Sequence, residues 1–327
     1  MKIKPIIVVC GEPFSIFSEL FIKLYKNKYF SKFKKPIILI GSEKLFYEQA
    51  KKFKVNLKIN SLSNKNYFFK KKLKKINIIN VNFKFKNKFG VISKKSKKYI
   101  EDCFNIGIDI MNKGYGHILI NGPISKKAFL NKKYPGVTEY ISSKTKTNGK
   151  EVMLIYNEKT SVSPTTTHIP LNKVLKNLNS QKIVNQIKTI DAFYKKYLKI
   201  KPRIGVCGIN PHCETNSKIS EEKKIILPAF QKLKYSNIFV KGPFPADTIF
   251  TKNNRDKFNV IIGMYHDQVL SPIKALHNFN AINITLGLPF LRITPDHGPN
   301  HQMIGKNKSD PTSLKKTFDF ASKFNEI

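Results

Sequence analysis

Apolar runs of four to seven residues alternate with segments of helical period along this chain, the pattern of an α/β protein whose sheets are largely parallel. Residues 5–9 predict a first strand that runs into the loop Gly11, Glu12, Pro13, and residues 18–25 predict the helix that follows. Further strands are expected at 36–40, 76–81 and 117–120, the last ending in Asn121, Gly122 and Pro123. Residues 96–112 read as a helix because Tyr99, Ile100, Cys103, Ile106, Ile110 and Met111 recur near a period of 3.6. The Lys-rich run 63–75 predicts an exposed helix or loop.

The second half repeats the alternation, with strands expected at 152–156, 204–207, 238–240, 260–262 and 281–286. A polar run, 161–167, leads to His168. The clearest amphipathic helix is 181–198, its apolar face formed by Ile183, Val184, Ile187, Ile190, Phe193, Tyr194 and Tyr197. Ser220 opens another helix with Glu221 and Glu222 in the first turn, where carboxylates suit the dipole. Residues 310–324 predict a closing helix. A chain of 327 residues favours two domains, expected at 1–130 with 270–327, and at 131–269.

Composition changes this picture little. Hydrophobic residues make up 41%, as in a folded protein, whereas the net charge of +39 raises the question of nucleic acid. Arg occurs only at 203, 255 and 292, and the remaining basic residues are Lys scattered along the whole length. Arg is the usual reader of phosphates and bases, so the charge reads as a solvated surface, with no nucleic-acid partner expected. Cys10, Cys103, Cys207 and Cys213 form no CxxC pair and read as reduced core residues. No apolar run approaches the ~20 residues of a membrane span. A cytoplasmic protein without a membrane partner is expected.

Candidate chemistry concentrates in residues 259–299, where His266, Asp267, Gln268, Lys274, Asn283, Arg292, Asp296 and His297 lie beside apolar runs. His168, His212 and His266 share one setting, each just past a strand-like run, where parallel sheets open to ligands. Three imidazoles delivered there suit zinc, cobalt, nickel or manganese with open positions. Taken singly, each is better explained as a hydrogen-bonded structural histidine; three repetitions of one setting favour the ligand reading. Asp247 and Asp267 are candidates to orient an imidazole or take up a proton, although Asp247 also suits a turn cap. Lys274 and Arg292 offer positive charge for a phosphate or carboxylate. Asn283 sits inside an apolar strand, where an amide needs a partner.

The segments TTTHIPLNKV (165–174), GINPHCE (208–214), GPFPADTIF (242–250), GMYHDQVLSPIKAL (263–276) and LGLPFLRITPDHG (286–298) resemble, in order and spacing, motifs of the 4-hydroxythreonine-4-phosphate dehydrogenase family. NGPISKKAF (121–129) and PGVTEYIS (135–142) resemble its preceding motifs. The resemblance implies two α/β/α domains like those of isocitrate and isopropylmalate dehydrogenases, with the active site in a cleft between them, and a homodimer that shares it. It implies that His168 and His212 bind a divalent cation (zinc, magnesium, cobalt or manganese) with His266 of the other subunit. Thr138, Lys274, Asn283 and Arg292 are then substrate contacts, and Asp247, Asp267 and Lys274 candidates for proton transfer. The implied reaction is NAD- or NADP-dependent oxidation of 4-phosphooxy-L-threonine, followed by loss of CO2 to give 3-amino-2-oxopropyl phosphate for vitamin B6 synthesis.

Several positions depart from the family pattern. Ser15 and Phe17 stand where glycines are usual, Val137 replaces a histidine before Thr138, a glycine is lost after His212, and Pro299 replaces a threonine. Bulk at such positions predicts loops closed to close backbone approach by a ligand. Two alternatives follow: a related substrate such as threonate or erythronate 4-phosphate, or a metal- and phosphate-binding homologue that has lost catalysis.

Overall fold

The structure, a computed structural model, describes residues 3–62, 75–130, 133–214, 219–278 and 280–323. The run expected as an exposed helix or loop at 63–75 lies, apart from Lys75, outside the described residues. The chain forms two compact units, Met1–Asn148 with Leu288–Ile327, and Gly149–Gly287. No helix among the described residues is long and apolar enough to cross a membrane.

The first unit begins with β1 (Ile6–Val9), α1 (Phe17–Lys26), β2 (Ile37–Gly41), α2 (Glu43–Lys52), β3 (Asn60–Leu62), β4 (Ile76–Asn80), α3 (Lys97–Asn112), β5 (Ile118–Asn121) and α4 (Val137–Lys144). The second follows with β6 (Val152–Tyr156), β7 (Ser161–Pro164), α5 (Ser180–Phe193), β8 (Arg203–Cys207), α6 (Leu227–Leu233), β9 (Phe239–Phe244), α7 (Ala246–Ile249), α8 (Lys252–Arg255), β10 (Val260–Gly263), α9 (His266–His277) and β11 (Ile282–Leu286). The chain then returns to the first unit as β12 (Arg292–Pro295) and α10 (Thr312–Lys323).

In the first unit the strand order is β3-β4-β2-β1-β5-β12, with every pair parallel. The central strands β1, β2 and β5 are buried on both faces, so they read as nearly continuous Ile, Leu and Val runs. Helix α3 lies close to β1 because Gly107 faces Val9, where a Cβ would come within 2.7 Å of the valine methyl. Helix α10 is anchored by aromatic stacking, Phe318 lying 5.1 Å from Phe30 and 6.2 Å from Phe21. In the second unit the order is β11-β6-β7-β10-β8-β9, parallel from β7 to β9 and antiparallel at β11-β6 and β6-β7.

The unit boundaries differ from those expected. Residues 133–148 belong to the first unit because Tyr140 and Ile141 of α4 pack into the core around Phe104 and Phe129. Residues 270–287 belong to the second, since Ile273 of α9 joins its core and β11 pairs with β6. The polar run 161–167 also proved to begin with a strand. Ser161 and Ser163 in β7 are buried but polar, so hydrophobic patterning alone did not mark the strand.

Glu12 follows β1 with 1% exposure. Its Oε2 accepts a hydrogen bond from Ser96 Oγ at 3.2 Å, while Oε1 has no partner among the described residues. Burial pushes the carboxyl up to about 7 despite the Ser96 hydroxyl. A raised carboxylate destabilises the fold once it must ionise. Stability should therefore fall as pH rises from 4.5 to about 7, then level off. Glu12→Gln removes that slope: unfolding by urea should show little change near pH 4.5 and a gain of roughly 1–3 kcal/mol near pH 8.

Candidate functional site

The segments carrying the three histidines are fixed by buried polar side chains in the second unit. β7 runs beside β10, and the pairing continues past both strand ends, with Thr165 N–H donating to Gly263 O and Thr166 N–H to Met264 O. Gln186 on α5 reads the β7 segment: its Nε2 donates to Ser163 Oγ at 2.7 Å and its Oε1 accepts from Thr165 Oγ1 at 2.8 Å. Gln268 on α9 ties the remaining two segments together. Its Oε1 accepts from Met264 N–H and its Nε2 donates to Gly208 O, both at 2.7 Å.

These constraints bring the His168 and His266 rings to 5.9 Å between centroids. His266 Nδ1 is 2.8 Å from Asp267 Oδ1, which leaves Nε2 as the ring atom available to a ligand. Asp267 is exposed and lies in the first turn of α9, where it also favours the helix dipole. His212 lies on an exposed turn after β8, in left-handed backbone at φ 54°, followed by Cys213 at φ 60°. Two such non-glycine residues in succession store strain that persists only where the surroundings over-determine it. Here the constraint is Glu222, whose Oε1 accepts from Ile209 N–H at 2.8 Å and Asn210 N–H at 2.9 Å. The sequence reading assigned Glu222 to a helix dipole; its carboxylate instead clamps the His212 turn.

Among the described residues of one chain, no three His, Cys, Asp or Glu side chains come together as a metal set. The donor chemistry nevertheless suits a borderline divalent cation, since two imidazoles lie close and one has its orientation fixed. Asp247 is exposed in the first turn of α7. Lys274, half-buried on α9, has its ammonium pulled down by burial. Asn283 on β11 has a buried Oδ1 with no hydrogen-bond partner among the described residues, the situation in which a ligand donor is favoured.

A second group forms in the first unit. Arg292 at the start of β12 is 3% exposed, its Nε donating to Asn121 Oδ1 at 2.8 Å and an NH group to Thr138 Oγ1 at 2.9 Å. Burial pulls the guanidinium down to about 10, partly offset by Glu139, so it stays charged at neutral pH. Thr138 lies in the first turn of α4, whose N-cap Gly136 offers no side-chain cap. A fixed guanidinium, a hydroxyl and a helix N-terminus make an anion-binding set.

The stretch 259–299 is thus divided: its residues through Asn283 lie in the second unit, and Arg292, Asp296 and His297 in the first. Sequence reasoning missed Asn121, Gln186 and Glu222 as positioning groups; only their place at strand ends or on predicted helices hinted at them. Phe17 does not project into a ligand loop. It is 1% exposed and packs against Gly122, where a Cβ would come within 2.9 Å of its ring. Val137 packs with the core around Tyr140, and Pro299 O accepts from Ile16 N–H.

Two substitutions test these assignments. Hydrogen bonds from Asn210 and Ile209 outweigh burial and hold the Glu222 carboxyl at about 2, so its contribution is present above pH 4.5 and lost as pH falls toward 2. Glu222→Gln should cost roughly 1–3 kcal/mol at neutral pH, read by urea unfolding, and flatten the acid limb. Arg292→Lys should retain the circular dichroism spectrum but weaken inorganic phosphate binding about tenfold, measured by calorimetry.

The family model described as pyridoxal phosphate biosynthetic protein PdxA matches residues 32–321. The chain is 34% identical over 319 residues to the 4-hydroxythreonine-4-phosphate dehydrogenase of Sulfurihydrogenibium sp. (strain YO3AOP1), covering 96% of each. It is 31% identical to the D-threonate 4-phosphate dehydrogenase of Pectobacterium atrosepticum, covering 71% of this chain and 72% of that one. The crystal structure of 4-hydroxythreonine-4-phosphate dehydrogenase from Klebsiella pneumoniae aligns with a TM-score of 0.79 at 27% identity, covering 97% of this chain and 98% of that one. Isocitrate dehydrogenase from Methylococcus capsulatus, with a TM-score of 0.50 at 9% identity over 98% of this chain and 85% of that one, shares the fold alone. With the family model spanning most of its length and a relative aligned over nearly all of it, this chain belongs to the PdxA family.

Proposed function

We propose that this chain is a metal-assisted, NAD- or NADP-dependent dehydrogenase that oxidises the 3-hydroxyl of 4-phosphooxy-L-threonine. The product, 2-amino-3-oxo-4-phosphooxybutanoate, is a β-keto acid and loses CO2 to give 3-amino-2-oxopropyl phosphate. The observation that carries this reading is that β7, β10 and β8 run side by side and parallel, so that His168, His266 and His212 leave the same end of the sheet on segments fixed by Gln186 and Gln268. Membership in a family whose relatives are named as dehydrogenases supports it.

His168 and His212 of one chain are the residues that would hold the cation, together with His266 supplied by a second copy of the chain in a homodimer. When bound, a divalent cation would supply compensation for negative charge on the substrate oxygen, and a nicotinamide would supply the hydride acceptor. The chain's own groups do the rest. Arg292 and Thr138 bind the phosphate, Arg292 through a charge that burial keeps from ordinary solvation. Lys274, its ammonium made more acidic by burial, takes the hydroxyl proton in its neutral form. Asn283 Oδ1 accepts a hydrogen bond from the substrate's ammonium or hydroxyl. Asp267 holds the His266 ring in one orientation.

A second reading keeps this chemistry but takes D-threonate 4-phosphate, favoured by the similarity to the Pectobacterium enzyme and by Val137 beside Thr138. Mixing the protein with a divalent metal, NAD or NADP and each phosphorylated acid should produce reduced nicotinamide with one preferred substrate. No reduction with any pairing of metal, nucleotide and substrate would remove both readings. His212→Ala should abolish metal retention and turnover with an unchanged circular dichroism spectrum; normal turnover in that variant excludes a histidine-held cation.

A further inference from the structure

A separate cavity of about 470 Å³ opens at the edge of the second unit's sheet, lined by residues of β8, β9, α7, α8 and the segment entering β10. The β8-β9 register pairs Arg203 with Phe239 and Gly205 with Lys241, so these four positions share one face of the edge pair. Gly205 contributes no side chain, and the space is filled from below by Phe258 and Ile249, whose atoms would lie 3.0 and 3.2 Å from a Cβ there. The result is a buried apolar floor, with the Phe244 and Phe258 rings 5.3 Å apart. Phe239, 45% exposed, forms a wall and carries Lys241 Nζ at 5.2 Å from its ring.

The rim is cationic. Arg203, Lys241 and Lys257 line the opening and, among the described residues, no carboxylate does. The nearby Asp256 carboxylate lies 3.8 Å from Arg255, and the Arg203 guanidinium donates to the Asp256 backbone oxygen at 3.4 Å. Lysines at a rim mean little in a chain of this composition, but Arg occurs three times in all and one of the three is here. Aromatic walls around a small apolar floor, beneath a guanidinium and two ammonium groups, match a flat ring bearing a dianion. Arg203 and Phe239 are the first residues of β8 and β9, and Lys257 and Phe258 lie on the approach to β10, while Phe244, Thr248, Ile249 and Asn254 come from the end of β9 and the helices after it. The histidine segments leave the opposite ends of β7, β8 and β10.

We propose that this cavity binds an aromatic phosphate ester, the ring against Phe239, Phe244 and Phe258 and the phosphate against Arg203, Lys241 and Lys257. The site does not depend on the dehydrogenase reading. Its test is a ligand-observed proton and phosphorus NMR titration with phenyl phosphate, run beside phenol and inorganic phosphate at physiological salt. The titration is done on the full chain and on Arg292→Lys, which weakens the other anion set. Phenyl phosphate should bind saturably in both, with phenol and inorganic phosphate at least tenfold weaker in Arg292→Lys. Arg203→Gln and Phe239→Ala should each weaken it about tenfold, the surface control Lys176→Gln not at all. Lys241→Gln, at an exposed position, serves if Arg203→Gln does not fold. Absence of saturable binding, equal loss in Lys176→Gln, or binding unaffected by the cavity variants would overturn the proposal.

Discussion

The arrangement of the second unit depends on a pair of buried amides. Gln268 is one side chain with two obligations, holding the Met264 N–H that precedes His266 and the Gly208 carbonyl that precedes the His212 turn. Gln186 does the same for the segment leading to His168. Loops buried beside a sheet carry backbone groups that strand pairing leaves unmatched, and each unmatched group costs about 1–3 kcal/mol. An amide, with both donor and acceptor, meets two of them at once. An apolar residue of similar size would fill the space and leave both unmet.

A buried cation imposes a different constraint on the first unit. Arg292 has surrendered its water for the oxygen atoms of Asn121 and Thr138, with the charge of Glu139 nearby. Burying a guanidinium is unfavourable unless its hydrogens are matched, and Lys cannot present the same planar fork. This separates Arg292 from the lysines that dominate the chain, most of which, among the described residues, are exposed. The net charge of +39 comes from Lys scattered along the chain, whereas this guanidinium is buried.

Much of the fold was legible because strands buried on both faces announce themselves as Ile and Val runs, as in β1, β2, β5 and β10. The helix expected at 181–198 was legible by period, though its last turn widens at Tyr194–Leu198 into a π-type turn. β7 was not legible, because its burial is sustained by hydroxyl hydrogen bonds rather than apolar side chains. β12 escaped because Arg292 opens it, and a charge at a strand start argues against burial unless the partner groups are known. The three histidines could be nominated from their shared position after strands. The amides and carboxylates that fix them could not, since long-range partners such as Gln268 and Gly208 carry no local signature.

Divergence in this chain follows from where added volume can go. In the loop after β1, the bulk at Phe14 and Phe17 turns inward: Phe17 rests on Gly122, and Phe14 lies against Gly90 and 5.6 Å from Phe83. The aromatic core absorbs those rings, while the loop backbone keeps its bonds from Glu12 N–H to Pro123 O and Ile16 N–H to Pro299 O. Exposed positions have the same freedom toward solvent, which is where the lysines accumulated. The network around Gln186, Gln268 and Glu222 has no such outlet. Each of its groups meets a fixed partner at 2.7–2.9 Å, so one exchange strands another polar atom in a dry setting. Tolerance and constraint therefore lie side by side in this sequence, divided by whether a replaced side chain leaves a hydrogen bond unmade.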